Sequence, residues 1–168
     1  MKTLISCVTA VLLLGACGAG ASGRFVDDTY GYEPARSVVS ETSLPISRIG
    51  TYTNSSIQEQ RRLIIRGEQE WRDFWYDLNL GSAPEVDFTR DMVIAVSAGS
   101  RSSTGYSVLV NDVRLDESGT LRIEVLETTP GRNCVTGQQM TQPVDVVVVP
   151  RTEMRTWSFT DRREVRDC

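Results

Sequence analysis

The chain has 168 residues, with 18 basic and 22 acidic side chains, a formal net charge of −4 and no histidine. This length suits one domain of ordinary size, and the composition, 40% hydrophobic and 24% charged, is that of a globular protein. Without histidine the chain cannot assemble a Ser-His-Asp or Cys-His catalytic unit, or a zinc site with imidazole ligands. Its mild acidity disfavours nucleic-acid binding, which normally requires a basic patch.

The first residues have the pattern of a bacterial lipoprotein signal. After Lys2, residues 4–14 are mostly apolar, and this run is too short to span a membrane. It ends in Leu14-Gly15-Ala16-Cys17, which resembles a lipobox, where cleavage precedes the cysteine and its sulfur receives a diacylglyceryl group. We therefore expect residues 1–16 to be removed and Cys17 to be lipidated, with an ordinary signal peptide as the alternative. Gly18 resembles the sorting signal for the outer membrane, and we expect the protein to face the periplasm.

Residues 17–47 are interpreted as the lipidated cysteine and a flexible tether. They are rich in Gly, Ala and Ser and show no sustained periodicity. A coil of this length would reach on the order of 30 Å. A short strand near residues 36–39 and docking of the tether aromatics are alternatives for parts of it. Residues 48–168 are then the folded domain.

The domain begins with two predicted strands, residues 49–53 and 61–66, followed by one helix from Glu68 to about Leu78. The helix is predicted because its apolar residues recur on one face, at Trp71, Phe74, Trp75 and Leu78. Glu68 and Arg72 form a favourable i,i+4 pair, and Gly81 is the expected stop signal. The aromatic stripe is interpreted as core rather than as a ligand platform.

A series of strands follows the helix, predicted at residues 92–97, 106–115, 120–127, 144–149 and 157–160. In the second of these the alternation slips by one residue before Val113, which is typical of a bulge. Residues 116–119 read as a hairpin turn with Gly119 in the left-handed position. The expected fold is α+β: an antiparallel sheet of about five to seven strands with one amphipathic helix on one face.

Two cysteines remain after Cys7 leaves with the signal and Cys17 is lipidated. In an oxidising envelope, Cys134 and Cys168 are expected to form one disulfide. The alternative is a reactive thiol at Cys134, next to Arg132, although the chain has no histidine to act as its base.

Several carboxylate groups have both a chemical and a structural interpretation. Asp87 and Asp91 would suit an acid–base pair, and a hydrolase using them is the least favoured function. Asp112, Asp116 and Glu117 would suit calcium, but the alternating spacing of an EF-hand is absent. Because aspartates are common in turns before strands and in hairpins, we interpret both groups as turn residues.

The most unusual local sequence is residues 99–106, where glycines bracket small hydroxyl residues and an arginine. A loop of this kind presents backbone N–H groups and a guanidinium, which suit a carboxylate or a phosphate. The plain alternative is a long hairpin connection with glycines at positive φ. The candidate binding residues are Gly99, Arg101, Thr104, Gly105 and Tyr106. The loop lacks the ending and setting of a P-loop.

The same residues carry a family resemblance, which covers roughly residues 49–151. The motifs, in order, are Trp71-x-x-Phe74-Trp75, Val86-Asp87-Phe88, Met92-Val93-Ile94, Gly99-x-Arg101-x-x-Thr104-Gly105-Tyr106-x-Val108, Pro130-Gly131-x-x-Cys134 and Gln142-Pro143. Together they resemble the C-terminal domain of the PrcB family, named for a lipoprotein subunit of a bacterial surface protease complex. The resemblance implies a non-catalytic subunit that stabilises or organises a partner.

The expected function is therefore that of a lipid-anchored envelope protein, not an enzyme, that binds an envelope or secreted protein such as a protease. Loop 99–106 and an exposed sheet edge would form the binding surface, with strand addition as one mode. The alternative is a small-molecule or glycan-binding lipoprotein that uses Arg101 and nearby aromatics. No cofactor, metal or nucleic-acid partner is expected.

Overall fold

A computed structural model describes residues 40–168. The lipobox, Cys17 and most of the expected tether lie outside these residues. In the described part, eight strands and one helix follow one another as β1 (Glu41–Ser43), β2 (Ser47–Tyr52), β3 (Gln60–Ile65), α1 (Glu68–Leu78), β4 (Asp91–Ala98), β5 (Ser107–Asp116), β6 (Thr120–Pro130), β7 (Val144–Pro150) and β8 (Thr156–Arg166). The first strand, β1, lies within residues 17–47, which the sequence predicts to be a flexible tether.

The strands form two four-stranded sheets, so the expectation of one antiparallel sheet with five to seven strands is wrong. Sheet 1 has the order β1-β5-β6-β8, and sheet 2 has the order β2-β7-β4-β3. All pairs are antiparallel except β6 with β8, which is parallel. Alternating hydrophobicity predicts which face of a strand is buried, but it does not predict which strands are neighbours.

Sheet 2 is the middle layer of the domain, between sheet 1 and the helix. Its central strands, β4 and β7, are buried along almost their whole length. Met92, Ile94 and Val96 pack against sheet 1, while Val93 and Ala95 pack against the helix. A strand covered on both faces has a continuous apolar sequence, which explains the valine run of β7. The mostly β domain with one helix agrees with the α+β expectation at this coarse level.

The helix has the predicted bounds and the predicted buried face. Trp71 and Trp75 are almost fully buried, and their ring centroids lie 4.9 Å apart. The Glu68–Arg72 ion pair forms, at 2.8 Å. The stop signal differs from the prediction, because Asn79, with φ 57°, ends the helix and its N–H donates to the carbonyl of Tyr76. Asparagine tolerates the left-handed conformation because its short polar side chain bonds locally.

The β5–β6 hairpin confirms both predictions made for it. The register shifts between Val110 and Asp112, where the bulge was expected. Gly119, with φ 80°, closes the turn by donating its N–H to the carbonyl of Asp116 at 2.9 Å. Beyond the hairpin, β8 is much longer than the predicted strand 157–160. No helix in residues 40–168 is long and apolar enough to cross a membrane.

A buried carboxylate, Asp145 on β7, joins the two sheets. Its Oδ1 accepts hydrogen bonds from Arg48 Nε at 2.7 Å and from Thr51 Oγ1 at 2.9 Å. Its Oδ2 accepts from the Val110 N–H at 2.8 Å and from Arg48 Nη2 at 3.2 Å. Because Val110 belongs to β5 of sheet 1, these contacts, called the Asp145 site below, fix sheet 1 against sheet 2.

Candidate functional site

Loop 99–106 joins the two sheets and is not a hairpin connection as expected. It runs from β4 in sheet 2 to β5 in sheet 1, two strands that are not paired with each other. The expectation of positive φ is confirmed at Gly99, with φ 74°, and at Gly105, with φ 94°. A Cβ added at Gly99 would lie 2.9 Å from the Gln58 carbonyl oxygen. Glycine is therefore required there both for the backbone conformation and for the close approach.

A second loop, residues 131–143, braces loop 99–106. Arg101 and Thr141 exchange backbone hydrogen bonds of 2.8 and 2.9 Å. The Thr104 N–H donates to the Gly137 carbonyl at 3.0 Å, and the Gly137 N–H donates to Thr104 Oγ1 at 2.8 Å. These contacts hold Thr104 in place as a structural residue. The two loops together form one surface, called the two-loop surface below.

A disulfide between Cys134 and Cys168 ties this surface to the end of β8, as the cysteine count predicts. Its Cα atoms are 5.1 Å apart, and the bond spans 34 residues. The Gly131 N–H donates to the Arg166 carbonyl at 2.9 Å, next to the bridge. Loop 131–143 is therefore fixed at both the loop 99–106 side and the β8 side.

Two apolar side chains of loop 131–143 lie in solvent. Val135 is fully exposed, and Met140 is 63% exposed. Both side chains are therefore available to contact another molecule. The sequence singles out this loop for its cysteine and its family motifs, and it does not predict these exposed apolar side chains.

Arg101 lies at the edge of a buried charge cluster that sequence reasoning missed. We call it the Glu127 cluster; its members are Gln60, Arg62, Arg101, Glu127, Asp161 and Arg163. It lies where β3 of sheet 2 faces β6 and β8 of sheet 1. The signal that could have revealed it is the alternation of β6: Leu121, Ile123 and Val125 point inward, so the next inward position places the charged Glu127 in the core.

The Glu127 cluster holds Arg62 tightly and Arg101 loosely. Arg62 donates to Glu127 Oε1 at 2.8 Å, to Asp161 Oδ1 at 2.7 Å and to the Ser97 carbonyl at 2.7 Å. Arg101 Nη2 is 3.6 Å from Glu127 Oε2, and its guanidinium carbon is 5.8 Å from the centre of the Tyr106 ring. Its side chain remains 31% exposed. The structure therefore brings the candidate residues Arg101 and Tyr106 together at an open edge of the cluster.

The carboxylates considered for catalysis or calcium have structural partners. Asp87 accepts from the hydroxyl of Thr89 at 2.5 Å and from its N–H at 3.0 Å, and these bonds lower the pKa of Asp87. A lowered pKa keeps this carboxyl ionised, which does not suit a general acid. Asp91 begins β4. The interpretation of Asp87 as a turn residue agrees with this geometry.

The aspartates of the β5–β6 hairpin are also engaged locally. Asp112 pairs with Arg114 at 2.5 Å. The hydroxyl of Ser118, the N–H of Thr120 and the guanidinium of Arg122 donate to the Asp116 carboxylate and lower its pKa to about 2. Within residues 40–168 no three His, Cys, Asp or Glu side chains form a group that could hold a metal ion.

The comparisons with known proteins point to one family. A family model described as PrcB C-terminal matches residues 92–150. This segment runs from β4 to β7 and contains both loops of the two-loop surface, together with Glu127. No curated protein and no solved structure matches the chain. Residues 92–150 are therefore similar to the PrcB C-terminal family, and this match supports the resemblance that the motifs indicate.

Proposed function

We propose that the chain is a lipid-anchored, non-catalytic envelope protein whose domain binds and stabilises a partner protein, such as a surface or periplasmic protease complex. The observation that carries this proposal is the PrcB C-terminal match at residues 92–150. The family's name is tied to a protease complex rather than to a small ligand. The matched segment contains both loops of the two-loop surface.

The geometry of the two-loop surface supports a role in protein binding. Hydrogen bonds and the disulfide fix the backbone of the surface, so little conformational freedom is lost on association. The exposed side chains combine apolar groups, Val135 and Met140, with the guanidinium of Arg101. Aromatic, methionine and arginine side chains are the ones enriched in protein interfaces.

The lipobox supports attachment to the envelope. Lipidation at Cys17, after removal of residues 1–16, would hold the domain at the outer membrane, facing the periplasm. Because β1 begins at Glu41, the tether would be residues 18–40, and a flexible coil of this length would let the domain reach on the order of 25 Å from the lipid. A partner at the same membrane would then meet the domain at a raised effective concentration.

A ligand-binding role for Arg101 has weaker support. A concavity of about 860 Å³ lies beside α1 and is lined by Trp71, Tyr76 and Val86, among others. Arg101 and Tyr106 do not line it. Small-molecule sites are usually concave and enclose their ligand, whereas the surroundings of Arg101 that the structure describes suit a contact on an open surface.

The test is to crosslink the tagged, lipidated protein in its native envelope and to quantify the proteins that co-purify with it. We expect a partner in stoichiometric amount, and we expect the Val135→Asp, Met140→Asp double variant to reduce its yield about tenfold or more, since buried charge is costly at an interface. Tyr76→Asp is the matched control, because Tyr76 is 85% exposed on α1, away from the two loops. Absence of a partner, or an equal loss with the control, would overturn the proposal.

A further inference from the structure

The two oxygens of Glu127 have different surroundings. Glu127 is 5% exposed, and its Oε1 accepts hydrogen bonds from Arg62 Nη2 at 2.8 Å and from Gln60 Nε2 at 3.1 Å. Its Oε2 faces Arg101 Nη2 and Arg163 Nε, each 3.6 Å away. That separation is longer than a hydrogen bond, so both guanidinium groups contribute charge to this oxygen without donating to it.

The guanidinium N–H groups of Arg101 and Arg163 are thus available to another acceptor. Neither side chain donates a hydrogen bond to any of residues 40–168, in contrast to Arg62. Arg163 is 74% exposed and Arg101 is 31% exposed, so both groups reach solvent. Because both lie 3.6 Å from one oxygen, the two nitrogens are at most twice that distance apart. A single carboxylate placed between them would be within reach of both.

The charge of the cluster is positive although the chain is acidic. Three guanidinium groups, Arg62, Arg101 and Arg163, face two carboxylates, Glu127 and Asp161. The cluster therefore carries one excess positive charge, located on its solvent side, in a chain with a net charge of −4. An anion at this position would neutralise the excess.

We propose that Arg101 and Arg163 form a receptor for a carboxylate side chain on an acidic segment of the partner protein. The inference rests on the proposed function, since it names the chemistry by which the partner is recognised. A carboxylate matches the fork of a guanidinium and gains charge-assisted hydrogen bonds. The occupant is a protein segment because the Arg101 backbone pairs with Thr141 of loop 131–143, and the exposed apolar side chains Val135 and Met140 belong to that same loop.

The test uses the full-length lipidated protein in neutral detergent and, as the probe, a hexaglutamate peptide blocked at both ends. Binding is measured by calorimetry at low salt. We expect Arg163→Ala and Arg101→Ala each to weaken binding about tenfold, as loss of one partner of a charged pair does. Arg162→Ala is the matched control: Arg162 is the next residue on β8, is 57% exposed and pairs with Glu124 and Glu164 instead. It should change affinity less than about twofold.

Two results would overturn the receptor: no binding of hexaglutamate, or equal losses with Arg163→Ala and Arg162→Ala. Arg163 is highly exposed, so its variant keeps the fold even where Arg101→Ala does not. Inorganic phosphate added as competitor separates the sources of the anion, and displacement of the peptide at micromolar phosphate would overturn the assignment to carboxylate. Crosslinking in the envelope decides the proposed function separately: a partner that is retained in the Arg163→Ala variant leaves that function standing and overturns only the receptor.

Discussion

The Asp145 site and the Glu127 cluster both place a carboxylate in the interior between two sheets, yet they differ in how fully that carboxylate is paired. Both oxygens of Asp145 accept two hydrogen bonds each, from Arg48, Thr51 and the Val110 N–H. Only one oxygen of Glu127 is hydrogen-bonded to an arginine, and two further guanidinium groups lie just out of bonding range. A carboxylate with every lone pair occupied stabilises the fold, whereas one with surplus cations around it leaves those cations available to a ligand.

The largest effect is expected at the Asp145 site, whose carboxylate is fully hydrogen-bonded. Asp145→Asn removes the charge that compensates Arg48 and replaces an oxygen acceptor by a donor next to the Val110 N–H. We expect the free energy of unfolding in urea to fall by about 3 kcal/mol, since the Asp145 side chain is fully buried and its hydrogen-bond donors lose a charged acceptor.

Asp77→Asn is the matched control, because Asp77 pairs with Arg61 at 2.9 Å on the surface. Exposed pairs contribute about 1 kcal/mol or less. Equal losses in the two variants would show that the Asp145 site does not hold the sheets together.

An intermediate effect is expected at the Glu127 cluster, whose carboxylate is only partly hydrogen-bonded. Glu127→Gln keeps an oxygen that accepts from Arg62 but removes a negative charge, so we expect a smaller loss of stability, about 1–2 kcal/mol. The same change should tighten hexaglutamate binding severalfold, because Arg101 and Arg163 no longer share their charge with Glu127. Unchanged or weaker peptide binding, measured by the same calorimetry, would contradict the comparison.

The smallest effect comes from a carboxylate outside both sites. The pKa of Asp116 is lowered from 3.8 to about 2, so the folded state binds this proton less readily than the unfolded chain. Its contribution to stability is present above about pH 4 and is lost as the pH falls towards 2. Asp116→Asn should therefore flatten the decline of unfolding free energy across that range.

Asp73→Asn on α1 controls for the removal of one negative charge. The measurement is urea unfolding at several pH values between 2 and 5. A decline equally steep in the Asp116→Asn protein and the wild type would contradict the assignment.

Local features of the fold followed from the sequence, and long-range ones did not. The helix, the bulge at Val110–Asp112 and the turn at Gly119 depend on residues close together in the chain, so periodicity and turn chemistry predict them. The partition into two sheets and the parallel β6–β8 pair depend on contacts between distant residues, which no local pattern encodes. This also explains the error about loop 99–106, where two adjacent strands were assumed to pair.

The candidate site also combines features that the sequence predicts with features that it does not predict. The positive φ at Gly99 and Gly105 and the cysteine pairing were predictable from residue type and number. The convergence of Arg101 with Arg163 was not, because Arg163 lies on a strand whose length and partner were unknown. The sequence does not show that Arg163 will lie near Arg101, because this depends on the pairing of β8 with β6.

The parallel pairing of β8 has a consequence for how the protein folds. The β5–β6 hairpin closes through a short turn, whereas β8 reaches β6 only after the chain has passed through β7 in the other sheet. Folding slows as contacting residues lie further apart in sequence, so β6 keeps one open edge while the rest of sheet 1 assembles. Pairing of β8 with β6 holds Cys168 next to Cys134, because the disulfide lies at the end of β8. We therefore expect oxidation of this cysteine pair in refolding protein to speed up as β8 joins the sheet.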